Sequence, residues 1–348
     1  MPSRQWGRSA GGALRAALLI VCTTAFALGQ GQTPTLESLA KVDSRQREDA
    51  LVALRDGSGG DAALLALATE LTTQAEARRD SGRPPLFAGC MRADEFELRT
   101  QLDLALASAD GKTYKALAAE YRRLTTMLRS ALSAAQASGN WRKQFSHLGH
   151  WITDWHKAKD PTVRELLHRT LADQAIRAAL SSFKGEKIYF MARPTPALRA
   201  YDEYLFNLMC TADEDNLNWL KDQVARNGWF DIRRYGRAAD QAAWLMVQHA
   251  DGAPAYQAYI AALLEVKARS GETDPQNYAF LSDRIAVRTG QPQTFATQME
   301  CVDGRWLAPN VVAPEELDSR RASMGLKPYR AQLAQRGQLS CGKSPRRP

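Results

Sequence analysis

Apolar side chains recur every three or four positions between residues 114 and 131, the spacing that places them on one stripe of an α-helix. The stripe consists of Tyr114, Leu117, Tyr121, Leu124, Leu128 and Ala131. After an interruption at Ser138, Gly139 and Asn140, the same spacing returns in Trp141, Phe145, Leu148, Ile152 and Trp155. An antiparallel helix pair joined by a short turn would bury both stripes. An aromatic ligand-binding box is the alternative, but helical spacing alone explains these positions and favours a packed core.

Weaker periodicity extends the helical prediction to both sides of this pair. Two helices are expected within residues 33–71 and another within 93–107, after a proline-containing loop at 82–89. Beyond residue 160 the predicted elements are helices at 238–249, 254–270 and 275–289, a β-hairpin at 294–308 around Asp303-Gly304, and a short helix at 314–323. The fold class predicted is therefore mainly α: helical hairpins or a bundle, followed by an α-rich domain with one small β-hairpin.

The first 29 residues are typical of a cleavable signal peptide. Arg4, Arg8 and Arg15 form a positive region, and the apolar run that follows to residue 28 is too short to span a bilayer. Small residues allow cleavage after Ala27 or Gly29. An uncleaved anchor is the alternative. The leader predicts a periplasmic or secreted protein, and no later apolar run predicts a membrane span after cleavage.

The rest of the chain divides into three predicted parts: an N-terminal helical region at 30–159, a C-terminal domain at 160–330 and a flexible basic tail at 331–348. The formal charge is +8, but three positive charges lie in the leader, which leaves about +5 (8 − 3) on the mature chain. Without a concentrated basic stripe, nucleic acid is not an expected partner.

Four cysteines remain after cleavage: Cys90, Cys210, Cys301 and Cys341. In an oxidising compartment they allow two disulfides, in three connectivities between which the sequence does not choose. Three histidines, His147, His150 and His156, lie in one predicted helix, but at most two can face one ion, so neither a metal nor another cofactor is predicted.

Short motifs run through the C-terminal half: Asp173-Gln174 with Arg177, Gly228-Trp229, Ala243-Trp244-Leu245, Gln248-His249-Ala250-Asp251, Gln257, Gly271-Glu272, Tyr278 to Arg284, Gly290 to Gln293, Thr297-Gln298, and Arg320-Arg321 with Gly325-Leu326. By these motifs residues 160–330 resemble a bacterial family of domains of unknown function. The resemblance implies no activity. Ala296 stands where the family has glycine, and its methyl group would hinder a ligand that approached the backbone there.

A catalytic hypothesis gathers the polar motif residues around one pocket. His249 would act as general base with Asp251 and Asp283 as the other catalytic groups, while Arg284, Gln298 and Thr297 would bind an anionic or carbonyl oxygen. His249 falls at the end of a predicted helix, where the helix dipole favours a protonated imidazole. Hydrolysis or group transfer is the chemistry these residue types allow.

No established catalytic motif accompanies these residues: there is no Gly-x-Ser-x-Gly elbow, His-Glu-x-x-His, phosphate loop or dinucleotide fingerprint. The sequence therefore favours a non-catalytic binding or structural module of the cell envelope, in which the same residues form a buried network. Its partner would be an envelope protein or a small ligand. Convergence of His249, Arg284 and Gln298 on a solvent-filled pocket would favour the enzyme instead.

Overall fold

The computed structural model describes residues 33–80, 90–183, 194–302 and 304–337. The N-terminal region contains α1 (Leu36–Lys41), α2 (Ser44–Asp56), α3 (Gly60–Asp80), α4 (Ala93–Leu106), α5 (Gly111–Ser138), α6 (Trp141–Gln144) and α7 (Gly149–Lys157). The C-terminal region contains α8 (Pro161–Phe183), α9 (Pro196–Asn227), α10 (Ile232–Tyr235), α11 (Arg237–His249), α12 (Pro254–Arg269), α13 (Pro275–Arg288), β1 (Glu300–Val302), β2 (Arg305–Leu307), α14 (Leu317–Ser323) and α15 (Tyr329–Gly337). The prediction of a mainly α protein with one small hairpin is confirmed.

The long apolar stripe lies on α5 and faces the core, with Tyr114, Tyr121 and Leu128 buried and Leu117, Leu124 and Ala131 half-buried. The Asp110 side chain caps the helix by accepting a hydrogen bond from Thr113 N, and Gly139 ends it with a left-handed φ of 67°. The second stripe is divided between α6, a 3-10 turn and α7, because Phe145 leaves the helical conformation. The two stripes do not form the expected pair: α5 packs mainly on α2 and α9, whereas α7 packs on α8.

Helix α9 is the central element of the fold. It begins with Thr195 as N-cap and Pro196 in the first turn, and it packs against α4, α5, α8 and α11. Buried residues from both regions belong to one continuous hydrophobic cluster, including Leu102 and Tyr121 from the first region and Leu205 and Leu220 from the second. The N-terminal helices and the C-terminal region thus share a core around α9.

A disulfide between Cys90 and Cys210 ties the segment before α4 to the middle of α9, with the two Cα atoms 5.6 Å apart. Asn207, one turn earlier on α9, holds the same segment: its Oδ1 accepts from Met91 N at 2.8 Å, and its Nδ2 donates to Met91 O at 3.2 Å. Cys301 is also disulfide-bonded, and Cys341 lies outside the described residues.

Removing the Cys90–Cys210 bond should lower the free energy of unfolding by roughly 2–4 kcal/mol, because the bond restricts the unfolded chain over a long loop. Urea denaturation of the double variant Cys90→Ala/Cys210→Ala, compared with the parent under non-reducing conditions, measures this. A difference below about 1 kcal/mol would show that the packing of α4 on α9 makes the covalent bond redundant.

Two other sequence expectations fall partly or wholly outside the described residues. The leader at 1–29 is outside them. Residues 331–337, expected to begin a flexible tail, are helical in α15, and the remainder of that tail is not described. Among the described residues, no helix combines the length and apolar character needed to cross a bilayer.

Candidate functional site

A pocket of about 660 Å³ opens between the N-terminal and C-terminal regions. Helix α4 supplies one wall through Phe96, Arg99 and Asp103, and a long face of α9 supplies another. The inner end is formed by Arg177 of α8 and His249 at the end of α11, with Asp251 and Arg284 beside them. The volume lies within the range typical of small-molecule sites.

Two buried carboxylates share one guanidinium group at this inner end. Arg177 Nε donates to Asp173 Oδ1 at 2.8 Å, and its Nη2 donates to Asp213 Oδ1. Asp173 and Arg177 lie one turn apart on α8, so the helix itself pairs them. Asp213 reaches them from α9. The side chains of Asp173 and Asp213 are only 5% and 8% exposed.

His249 faces both carboxylates. Its Nδ1 lies 3.2 Å from Asp173 Oδ2 and 4.0 Å from Asp213 Oδ1. This nitrogen is buried and forms no well-aligned hydrogen bond, whereas Asp173 Oδ2 also accepts from Gln174 Nε2 at 2.8 Å. The ring therefore presents its Nδ1 edge to the two acids at the end of the pocket.

Burial separates the protonation states of these acids. It raises the pKa of Asp213 to about 7, and the nearby charge of Asp173 adds to this against the opposing effect of Arg177. Burial also acts to raise the pKa of Asp173, but contacts with His249, Arg177 and Gln174 outweigh it and bring that pKa to about 2. Asp173 is thus ionised at neutral pH while Asp213 is close to its midpoint.

The pKa of His249 is lowered, mainly by burial and further by the positive charges of Arg177 and Arg284, although Asp173 opposes the change. The helix dipole favours the protonated ring, but loss of solvation on burial is the larger effect here. The imidazole is consequently neutral near pH 7, the form that can accept a proton.

Asp251 and Arg284 form a bidentate ion pair at the side of His249. Arg284 Nε and Nη2 donate to the two Asp251 oxygens at 2.8 and 2.5 Å, and Arg288 Nη1 lies 3.1 Å from the same carboxylate. These contacts leave Nη1 of Arg284 for a ligand. Both residues line the pocket, so the structure brings His249, Asp251 and Arg284 together as the sequence suggested.

The family model for the family of unknown function DUF6624 matches residues 161–335, half of the chain. The chain belongs to DUF6624. No curated protein and no solved structure matches it significantly. Arg177, Asp213, His249, Asp251 and Arg284 all lie within the DUF6624 region, whereas the pocket wall on α4 precedes it.

Asp283, Thr297 and Gln298 lie elsewhere in the DUF6624 region, in a packed network. The fully buried Asp283 carboxylate accepts from the backbone N–H groups of Thr294, Phe295 and Thr297 at 2.8–3.2 Å and from Thr297 Oγ1 at 3.0 Å. Gln298 donates its side-chain amide to Thr297 Oγ1 at 3.2 Å. None of the three lines the described part of the pocket, so the convergence expected from the sequence stops at His249, Asp251 and Arg284.

The same network corrects the predicted hairpin. Because the Asp283 carboxylate accepts hydrogen bonds from backbone N–H groups within residues 294–297, that segment forms a loop. The strands are limited to β1 and β2. Thr297 and Gln298 are therefore not in a strand. Ala296 adopts a left-handed φ of 53° inside this loop and is buried. A glycine would adopt that conformation without strain.

Asp173, Arg177 and Asp213 were not among the predicted site residues. Asp173 and Arg177 were visible in the sequence only as an ion pair on a helix surface. Asp213 carried a weaker signal: it occupies the apolar stripe of α9, between Leu205 and Leu217, where a carboxylate needs a partner.

Donor atoms of Asp173, Asp213 and His249 lie within 4.8 Å of one another, a spacing that could surround a metal ion. Arg177 already bonds to both carboxylates and supplies the positive charge that a cation would bring. His147, His150 and His156 are exposed and belong to no such group within the described chain.

Asp213→Asn should change stability in a pH-dependent way. The folded state raises the pKa of Asp213 from its ordinary 3.8 to about 7, so its stabilising contribution is complete below about pH 4 and is lost as pH rises through 7. Relative to the parent, the asparagine variant should therefore gain melting temperature at pH 8 compared with pH 5. An identical difference at both pH values, measured by circular dichroism, would contradict the shifted pKa.

Proposed function

We propose that this protein is an exported hydrolase or group-transfer enzyme that uses His249 as a general base on a small polar ligand. One observation carries the proposal: the imidazole lies at the inner end of an open pocket, with its Nδ1 facing two buried carboxylates. A purely structural histidine does not need a pocket at its side. A carboxylate beside one ring nitrogen is a common arrangement of a histidine that acts as general base.

The proposed chemistry assigns one role to each polar group. Asp173 keeps a proton on Nδ1 and stabilises the imidazolium, which leaves Nε2 to take the proton of an attacking water or hydroxyl. Arg284 Nη1 binds the carbonyl or anionic oxygen on which charge develops. As the new bond to the carbonyl carbon forms and the bond to the leaving group breaks, the imidazolium gives its Nε2 proton to the leaving group, which restores the neutral ring. Asp213 stays bonded to Arg177 and holds that guanidinium group against Asp173.

The loose contact between Nδ1 and Asp173 is compatible with this role. Catalytic hydrogen bonds are often poorly aligned without substrate and tighten when it binds. The paired acids also match a general feature of acid–base sites, in which neighbouring titratable groups have pKa values moved apart by their surroundings.

Export is the second part of the proposal. It is supported by the leader pattern of residues 1–29 and by disulfide bonding at Cys90, Cys210 and Cys301, since such bonds persist in oxidising compartments. We assign the protein to the periplasm or the secreted fraction. Mass spectrometry of the mature protein should find its N-terminus at Leu28 or Gln30, and persistence of Met1 would overturn cleavage.

A non-catalytic binding module is the second candidate. It is supported by the packed Asp283 network, in which polar motif residues form hydrogen bonds with the chain itself and are buried. Such a module would hold an envelope protein or small ligand in the same pocket without turning it over.

A screen of the purified mature protein against ester, amide and phosphoester substrates separates the two candidates. The enzyme should turn over at least one class, with a rate that rises as His249 loses its proton below pH 7. Ligand-induced stabilisation without turnover of any class would favour the binding module.

A further inference from the structure

A second pocket, of about 370 Å³, lies in the C-terminal region, and its described lining shares no residue with the pocket at His249. We propose that it binds a phosphoryl group, carried by a soluble phosphate ester or by a lipid headgroup. Arg321, Lys327 and Arg336 would hold the phosphoryl oxygens. The site does not depend on the reaction proposed above.

The described lining of this pocket carries positive charge only. It comes from the first two turns of α13, from the second half of α14 with the connection that follows, and from one face of α15. Its charged side chains are those of Arg321, Lys327 and Arg336, and it contains no carboxylate. Its other polar side chains are amides, those of Gln276, Gln332 and Gln335.

None of the three cations forms an ion pair with the described part of the chain. Lys327 Nζ has one long contact, with Gln335 Oε1 at 3.5 Å. The Arg336 guanidinium group lies over the Trp306 ring, 5.3 Å from its centroid. Neither contact neutralises the charge, and both cations are exposed and therefore accessible to a ligand. Unpaired positive charge on a concave surface attracts anions.

Arg321 is the buried member of the set and provides a separate observation, because only 1% of its surface is exposed. Its Nε donates to Lys327 O at 2.7 Å, its Nη2 donates to Gln332 Oε1, and its Nη1 donates to a backbone carbonyl. All these acceptors are neutral. Burial lowers the pKa of Arg321, and the more distant carboxylates of Asp318 and Asp283 oppose this without contact. A buried charge without an opposite charge in contact is costly, and a bound anion would supply one.

The pocket also contains a sequence motif that the proposed function does not use. Arg321, Gly325 and Leu326 belong to the motif Arg320-Arg321 with Gly325-Leu326, and all three line the pocket. Gly325 has a left-handed φ of 66°, which ends α14 and turns the chain. The turn brings Lys327 back to Arg321, so local structure places two of the cations side by side.

The unused donors of the pocket favour a phosphoryl group over a carboxylate. The Arg336 guanidinium group and the amide nitrogens of Gln332 and Gln335 donate no hydrogen bond to the described chain. A phosphoryl group offers three oxygens and up to two negative charges, so it can pair with more than one cation. A carboxylate offers two oxygens and one charge. Phe280 and Leu326 provide an apolar side for the carbon atoms of an ester.

Three related probes test the ligand class: glycerol 1-phosphate, glycerate and glycerol, each titrated into the mature protein by calorimetry in phosphate-free buffer. Glycerol 1-phosphate should bind most tightly, glycerate more weakly, and glycerol not at all. Lys327→Gln and Arg336→Gln should each weaken phosphate-ester binding about fivefold, because each removes one exposed charge pair. Arg330→Gln is the matched control, since Arg330 is an exposed arginine of α15 that does not line the pocket.

Co-sedimentation with phosphatidylcholine vesicles, with and without phosphatidic acid, tests the lipid headgroup on the same variants. Binding only to vesicles that contain phosphatidic acid would identify a lipid headgroup as the source, and binding only of glycerol 1-phosphate would identify a soluble ester. Either result supports the site if Lys327→Gln and Arg336→Gln weaken it and Arg330→Gln does not.

Three results would overturn the phosphoryl site: no binding of either phosphate source, tighter binding of glycerate than of glycerol 1-phosphate, or equal losses in all three variants. Equal losses would show attraction by the overall positive charge of the chain rather than by this pocket. Thermal melting accompanies each titration. Because Lys327 and Arg336 are exposed and form no ion pair with the described chain, their replacement should leave the melting temperature nearly unchanged.

Discussion

His249→Gln is expected to reduce kcat/KM on any substrate found by the screen by about 10²–10⁴-fold, the usual contribution of a positioned general base. Glutamine keeps a polar group beside Asp173 but cannot accept and return a proton. Because His249 is neutral in the fold, its replacement removes no buried charge. The free energy of unfolding should therefore change by no more than about 1 kcal/mol.

Steady-state kinetics and urea denaturation of the same variant measure both quantities. His150→Gln is the control, because His150 is an exposed histidine of α7 outside the pocket, and it should leave both unchanged. Retention of full activity in His249→Gln would exclude the base. Severe destabilisation with no turnover in the parent protein would instead support a structural histidine.

Asp283→Ala is expected to lower the free energy of unfolding by roughly 3–5 kcal/mol. The substitution leaves several buried N–H groups of residues 294–297 without an acceptor, and each unsatisfied buried donor is costly. A loss of this size is a large share of the 5–15 kcal/mol that is typical of folded proteins.

Urea denaturation measures this loss, with Glu315→Ala as the control because Glu315 is an exposed acid shortly before α14. The control should be nearly neutral. A loss below about 1 kcal/mol in Asp283→Ala would mean that water replaces the carboxylate. Selective loss of turnover in a stable Asp283→Ala protein would show instead that Asp283 contributes to catalysis.

The sequence alone could not show that Asp283 and Arg284 face different parts of the structure. Asp283 and Arg284 are consecutive on α13, and consecutive helical residues point about 100° apart. Asp283 consequently faces the loop at 294–297, whereas Arg284 faces Asp251 at the pocket. The catalytic hypothesis placed both side chains at one pocket, whereas a helix directs adjacent side chains to different surroundings.

Burial of the α5 stripe was predictable, since periodicity alone specifies which side of a helix is apolar. The partner of that stripe was not predictable. Any apolar surface can cover another, and the contacts with α2 and α9 depend on the packing of the whole chain.

Local sequence also indicated a β-hairpin, although not the extent of its strands, and the pairing of Asp173 with Arg177, because each depends on groups a few residues apart. The cluster of Asp173, Arg177, Asp213 and His249 could not be predicted from local sequence. Asp213 lies 36 residues from Arg177, and His249 meets both acids only where α8, α9 and α11 pack together. Short-range patterns establish helices and their apolar faces, whereas long-range packing selects which polar groups are buried together and thereby sets their pKa values.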